Sequence, residues 1–310
     1  MIRQSPQTRH RDELLADSFR ACRAITKQRA SNFYYGLCLA PEPKRSALYA
    51  IYAWMREADD AVDEPVGDIT RKLRYEQLAS ATEKVLASRE FDEAVQHGPC
   101  WPAFAATLQE HDMPASWFDE MLTGLGDDLT AVELQTDEEM LLYCDRVAGM
   151  AGLACVRIWG LIDSASAEHA DSLAIEQGRA FQLTNILRDY VDDLRSDPRR
   201  VYISAESLDA AGVASPEVLA EWSDSAACES LVSRLATRAR DGYKAADDLN
   251  SLLSPDCRPV HAALTAIYRG ILDRIEANPQ SVASAKPVKL GKLTKLGIAA
   301  RALASRVSAS

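Results

Sequence analysis

Two groups of carboxylates with the same inner spacing are the residues in this chain best suited to chemistry. The first is Arg56-Glu57-Ala58-Asp59-Asp60-Ala61-Val62-Asp63-Glu64. The second runs Gln182-Leu183-Thr184-Asn185-Ile186-Leu187-Arg188-Asp189-Tyr190-Val191-Asp192-Asp193. Asp59 and Asp63, like Asp189 and Asp193, stand at i and i+4, so a helix stacks each pair on one face. Like charges there repel, and a cation placed between them relieves the repulsion. Oxygen-only donors select a hard ion such as Mg²⁺. Gln182 and Asn185 extend the second stripe with amide oxygens, which makes Asp59, Asp63, Asn185, Asp189 and Asp193 the candidate metal ligands. Arg56 and Arg188, one in each group, have the fork that grips a phosphate bidentately. Two such faces across a hollow would suit a diphosphate bridged by Mg²⁺. A solvated acidic face is the alternative for either group alone, and Asp60 with Glu64 forms a second, offset pair.

Other residues extend this reading. Arg199-Arg200 follows the second group and offers a cation to a departing anion; a surface basic pair is the alternative. Asn32-Phe33-Tyr34-Tyr35 with Tyr49, Tyr52 and Trp54 places aromatic faces near the first group, where they stabilise cations or simply fill a core. Asp127-Asp128, after Gly124-x-Gly126, reads as a helix cap or loop acid. The five histidines show no metal spacing, and neither a P-loop nor a G-x-G-x-x-G dinucleotide fingerprint occurs.

The elements that must position these residues are helical. Ala, Leu, Glu and Arg recur with helical periodicity, while Gly and Pro fall mostly between periodic segments. Helices are expected over 12–28, 44–62 (stopped by Pro65 and Gly67), 68–86, 101–110, from Pro114 to about 122, from a capping box at Thr136-Asp137-Glu138-Glu139 to 159, 165–194, 230–249 and 259–276, with further starts at Ser204 and Ser215-Pro216. No run of alternating strands, no repeat and no low-complexity linker is evident. The expected fold is all-α: one helical domain over 1–282 with a central cavity, followed by a basic tail over 283–310. The tail carries Lys286, Lys289, Lys292, Lys295, Arg301 and Arg306 and no acid, beside a possible stripe of Leu290, Leu293, Leu296, Ala300 and Leu303. Two readings are a docked or frayed last helix and an amphipathic element on anionic lipid.

The net charge of −11 argues against a nucleic-acid partner. Seven cysteines without a C-x-x-C pair imply a reducing, cytoplasmic setting, and no segment has the apolar length of a signal or a membrane span.

Several blocks together resemble the squalene/phytoene synthase family over nearly the whole chain. They are Asn32–Tyr35, Tyr52 through Asp63, Tyr143-Cys144-Asp145-Arg146-Val147-Ala148-Gly149, Gly178 through Asp189 and Arg200-Val201-Tyr202. The Gln-Leu-Thr-Asn-Ile-Leu-Arg-Asp block is the most specific. The resemblance implies a class I isoprenoid synthase fold, Mg²⁺ dependence and head-to-head joining of two allylic diphosphates. It implies a catalytic role for Asp59, Asp63, Asp189, Asp193, Arg56 and Arg188, and substrate contact by Phe33, Tyr52, Gln182, Asn185, Arg200, Tyr202 and Tyr268. Tyr-Cys-Asp-Arg-Val-Ala and the stretch Ile267–Arg274 are similar to the hopanoid-pathway branch, which implies farnesyl diphosphate as substrate and presqualene diphosphate as product. Geranylgeranyl diphosphate giving phytoene, and NADPH-dependent reduction to squalene, are the alternatives within the family. The chain departs from the family pattern at Arg146, where many members carry Tyr, and at Ser281, near where relatives carry Arg.

Overall fold

The computed structural model describes residues 6–30, 32–64 and 67–307, with side chains from residue 8 to residue 304. Pro65 and the side chain of Arg306 lie outside the described residues. The chain forms α1 (Pro6–Arg29), α2 (Tyr34–Leu37), α3 (Lys44–Asp63), α4 (Asp68–Ser88), α5 (Phe91–Ala94), α6 (Trp101–Glu110), α7 (Ala115–Asp127), α8 (Asp137–Cys144), α9 (Met150–Trp159), α10 (Ala167–Leu194), α11 (Ala205–Ala211), α12 (Pro216–Glu221), α13 (Ser225–Leu252), α14 (Arg258–Ala277) and α15 (Lys292–Val307). Among the described residues the fold is all-α but for two short strands, in agreement with the helical periodicity of the sequence. Two residues of parallel pairing, β1 (Val132–Glu133) with β2 (Arg200–Val201), pin the loop after α10 beside the loop after α7.

Local chemistry explains the boundaries. Thr136 and Glu139 form the expected capping box at the start of α8, each side chain satisfying a backbone N–H of the other. The single helix expected to run on to residue 159 is instead interrupted by a π-helical turn, Asp145–Gly149. Such turns insert one residue and are common at functional sites. Asp224 caps α13, which begins earlier than its apolar periodicity indicates.

Two apolar clusters build the interior. One surrounds Trp54, whose ring stacks on Phe104 at 5.3 Å and meets Phe118 edge-on at 5.1 Å. Trp54 Nε1 donates to Thr82 Oγ1 at 3.0 Å, so its one polar atom is satisfied. The other cluster joins α10, α13 and α14 around Leu183, Tyr243 and Ile271. Phe33 and Phe181 touch both clusters and so mark the seam between them. Tyr49 and Trp54, expected near the first acidic group, are buried in the first cluster rather than facing the seam.

Glycines let α10 press directly onto its neighbours. A Cβ on Gly178 would lie 2.7 Å from the backbone of Gly149, and one on Gly242 would lie 2.5 Å from the carbonyl oxygen of Glu176. The terminal helix α15 also docks on the body, burying Lys295, Ile298, Ala299 and Ala302. The stripe anticipated from sequence faces the other way: Leu293, Leu296, Ala300 and Leu303 are exposed, and only Leu290, before the helix, is buried.

Backbone contact at Gly178 leaves a methyl group nowhere to go. Gly178→Ala should destabilise the protein by about 1–3 kcal/mol in urea denaturation. Gly297→Ala, with nothing within 4 Å, should leave the midpoint unchanged or raise it slightly.

Candidate active site

Three helices run lengthwise along one cavity of about 490 Å³. From α3 it receives Asp63, Asp59, Arg56, Tyr52 and Leu48; from α10, Asp193, Asp189, Asn185, Gln182, Phe181, Gln177 and Ala174. The π turn and α9 contribute Val147, Ala151, Cys155 and Trp159. These spacings of three and four residues put one stripe of each helix on the cavity. The stripes on α3 and α10 are graded, with carboxylates and arginines at one end and apolar and aromatic groups toward the other, while the stripe of the π turn and α9 is apolar throughout. All thirteen residues to which the resemblance gave a catalytic or substrate-contacting role line this one cavity.

The charged end is crowded with negative groups. Desolvation first, and the charge of Asp63 second, push Asp59 up to about 7. Desolvation and then the charge of Asp189 push Asp193 up to about 8. Both shifts mean that the folded protein resists ionising these acids unless positive charge is added. Arg200 reaches across from the α10–α11 connection, its Nη1 donating to Asp63 Oδ1 at 2.7 Å. Arg188 pairs with its neighbour Asp189, Nε to Oδ1 at 2.8 Å.

At the charged end of the cavity wall, three buried polar atoms among the described residues lack any partner: Nε of Arg56, Nε of Arg200 and Oδ1 of Asn185. Such atoms are costly when left unmade. Two are cationic donors suited to a phosphate oxygen, and the third is a neutral acceptor suited to a hard cation. The donor set, carboxylate and amide oxygens only, therefore fits Mg²⁺. No three acids among the described residues are gathered into a ready chelate. Each wall offers a pair, an arrangement that leaves further coordination to water and a phosphate ligand.

The offset acids have other duties. Asp60 is held by Arg56 and by Arg29 Nη2 at 2.8 Å, and Glu64 by Arg74. Neither lines the cavity, so Asp59-Asp60-x-x-Asp63 does not present three acids together. Arg199 takes the surface role, pairing with Glu133 and Glu217, while Arg200 alone turns inward. Arg146, where many family members carry Tyr, bonds Glu120 and Asp127 and is absent from the cavity wall.

Beyond the charges lies an aromatic wall. Phe181 stacks on Tyr268 with ring centres 4.2 Å apart, and Phe33 packs on Tyr268 at 5.3 Å and Tyr52 at 6.3 Å. The far end is closed by Trp159 and by Gln177, whose amide is held by Thr265 and His261.

Two site residues escaped the sequence reading. Asp128 is the C-cap residue of α7, as one of its two sequence readings had it, but its carboxylate is buried: the residue is 4% exposed and accepts hydrogen bonds from Tyr202 at 2.7 Å and Tyr143 at 3.2 Å. Tyr143 sits in a block the resemblance had marked, but neither its spacing nor its neighbours in sequence distinguish it from core. Asp128 has no periodic partner at all, because its role arises from contacts 15 and 74 residues away.

A family model described as squalene/phytoene synthase matches residues 26–294. A phytoene synthase of Arthrospira platensis is 34% identical over 277 residues, 86% of each chain. A phytoene synthase of Mycobacterium tuberculosis is 30% identical over 301 residues, 95% of this chain and 93% of the relative. Among solved structures, a dehydrosqualene synthase in complex with ligand superposes with a TM-score of 0.77 at 25% identity, covering 96% of this chain and 99% of that one.

The raised acids have a thermodynamic signature. Without metal, the folded state binds more protons than the unfolded chain between about pH 4 and the raised values of about 7 and 8. Stability in EDTA should therefore fall as pH rises through that window. Mg²⁺ with inorganic diphosphate should raise the melting temperature more at pH 8 than at pH 5. Scanning fluorimetry reads both, and an equal ligand effect at the two pH values would count against these acids as the binding groups.

Proposed function

The chain belongs to the squalene/phytoene synthase family, and on that premise we propose that it joins two farnesyl diphosphates head to head to give presqualene diphosphate. The family is of the prenyltransferase type. The observation that carries the choice of farnesyl chain is the length of the graded stripe. From Asp59 to Leu48 on α3 is eleven residues, about 17 Å at ~1.5 Å each, and from Asp189 to Gln177 on α10 is twelve, about 18 Å. With carbon–carbon bonds of about 1.5 Å in zigzag, the twelve-carbon backbone of farnesyl spans about 14 Å and the sixteen of geranylgeranyl about 19 Å. Part of each stripe is taken by the diphosphate, which leaves room for the shorter chain above Trp159.

Asp59 and Asp63 on one wall, and Asn185, Asp189 and Asp193 on the other, would hold Mg²⁺. When bound, the metal neutralises the diphosphate as a leaving group. The unpartnered Nε atoms of Arg56 and Arg200, with Arg188, take up charge that grows on the departing oxygen as the donor's C–O bond ionises. Phe33, Tyr52, Phe181 and Tyr268 present ring faces to the allylic cation and keep water from it. The 2,3 double bond of the second molecule then attacks, and loss of a proton closes the cyclopropane.

The names of the relatives favour a second reading, in which geranylgeranyl diphosphate is used and the product leads to phytoene. Incubation of the protein with Mg²⁺ and each diphosphate, with and without NADPH, decides by the mass of the product. A C30 cyclopropyl diphosphate is expected, Asp59→Asn and Asp189→Asn should each lower kcat by at least about 100-fold, and Trp159→Ala should shift preference toward the longer chain. C40 product alone from the unaltered protein would reject the farnesyl assignment.

We assign the outward face of α15 to the cytoplasmic surface of an anionic bilayer. No helix among the described residues is long and apolar enough to cross a membrane. Leu293, Leu296 and Leu303 are exposed beside Lys292 and Arg301, a pattern suited to lying in the headgroup layer. Sedimentation with vesicles containing anionic lipid should capture the protein. Leu293→Asp combined with Leu296→Asp should release it, and equal capture by neutral vesicles would rule out the charge contribution.

A further inference from the structure

Arg71 is the most deeply buried arginine among the described residues, 4% exposed, yet it does not line the cavity. A guanidinium stays charged at any working pH, so burying one is costly unless its donors are all satisfied. Those of Arg71 are not. Nη2 bonds Asp68 one turn earlier, Nη1 bonds the backbone carbonyl of Asp197, and Nε is buried with no partner among the described residues. An apolar residue would fill the same space more easily, so packing alone does not account for this side chain. What it connects does.

The helix α4 begins at Asp68, soon after Asp63 closes α3. Asp197 lies between the end of α10, just past Asp193, and β2, which opens with Arg200. Arg71 thus joins, outside the cavity, the two segments that leave the two acidic walls. Its own helix has a separate anchor: Tyr75 Oη donates to the carbonyl of Leu122 at 2.8 Å, and a Cβ on Gly126 would lie 2.7 Å from that same Oη. The arm therefore extends from a fixed base. The segment it holds is less secure, because β2 pairs with β1 over two residues only and the Arg199 side chain is spent on Glu133 and Glu217 at the surface. Three residues beyond Asp197 the chain delivers Arg200, with Nη1 on Asp63 at 2.7 Å and Nη2 on the carbonyl of Asp128 at 3.2 Å. A span of three residues reaches at most about 11 Å, so fixing Asp197 narrowly limits where Arg200 can start.

We infer that Arg71 is a positioning residue for Arg200, an inference that rests on the reading of Arg200 as a diphosphate-binding group. Holding the Asp197 carbonyl sets the direction from which the Arg200 guanidinium enters and keeps its unpartnered Nε in the cavity wall. The carboxylate of Asp63 is 45% exposed, so an Arg200 released from this hold can follow it toward solvent. Arg71 itself touches neither diphosphate nor metal. Its contribution is to have a cation in place before the ligand arrives, which removes an ordering cost from binding and from charge development on the leaving group.

The test is a double-mutant cycle on the full chain, read by calorimetric titration with inorganic diphosphate in the presence of Mg²⁺. Arg200→Met should weaken binding by about 10-fold or more, as expected for a lost charged donor. Arg71→Met should weaken it by at least about fivefold, the scale of a small misplacement. The two together should bind within about twofold of Arg200→Met alone, because Arg71 acts only through Arg200. Arg71→Lys, which can still reach one carbonyl, should recover part of the loss, and it takes the place of Arg71→Met in the cycle if that variant fails to fold. The inference is overturned if the Arg71 variant lowers the urea midpoint but keeps the affinity of the unaltered protein, or if its loss adds in full to that of Arg200→Met. Unchanged affinity in Arg200→Met would instead sink the parent reading, and the role of Arg71 with it.

Discussion

Repulsion between carboxylates held in a poorly solvated hollow is the constraint around which this molecule is organised. Asp59 and Asp193 are both driven toward the protonated form by burial and by a second acid one helical turn away. Nothing in ordinary folding rewards such an arrangement, because an apolar or paired residue at any of these positions would be easier to bury. The fold holds them there by other means: the aromatic packing around Trp54 fixes α3, and glycine contacts fix α10. Arg200 is the one internal cation that spans from β2 to Asp63, and it only partly offsets the charge. The remaining deficit is what a metal–diphosphate complex is suited to fill.

The gradient along α3 and α10 turns that electrostatic fact into selectivity. A ligand with a doubly charged head and a long apolar tail matches the wall at every level, whereas a nucleotide or a free phosphate matches it only at one end. Neutral polar groups at the closed end are already satisfied, Gln177 by His261 and Thr265, so that end offers a tail little beyond shape and dispersion. The single exception is Nε1 of Trp159, which is buried and unpartnered.

Much of this was legible from the chain alone, for a definite reason. Periodicity of 3.6 residues located the long helices, and the i, i+4 acids announced a shared face; α6 begins and ends where its punctuation indicates. Information that depends on distant contacts was not legible. Asp128 gains its role from Tyr143 and Tyr202, Asp60 loses its role to Arg29, and the leucines of α15 point outward because Ile298 and Ala302 on the opposite face bury against the body. The π turn was equally invisible, since an inserted residue leaves composition and propensity unchanged. The short elements α2 and α5 are set by tertiary contacts, and four residues are too few to show a period.

The glycine seam between α10 and the π turn carries an evolutionary consequence. Where two backbones touch at Gly178 and Gly149 there is no side chain to trim, so the separation of these helices is not adjustable by substitution. A lineage that needs a roomier or a tighter hollow must change what projects into it from fixed walls, one residue at a time. Any change in the room of this hollow is thereby confined to a few floor and lining positions, while the spacing of α10 from the π turn stays fixed.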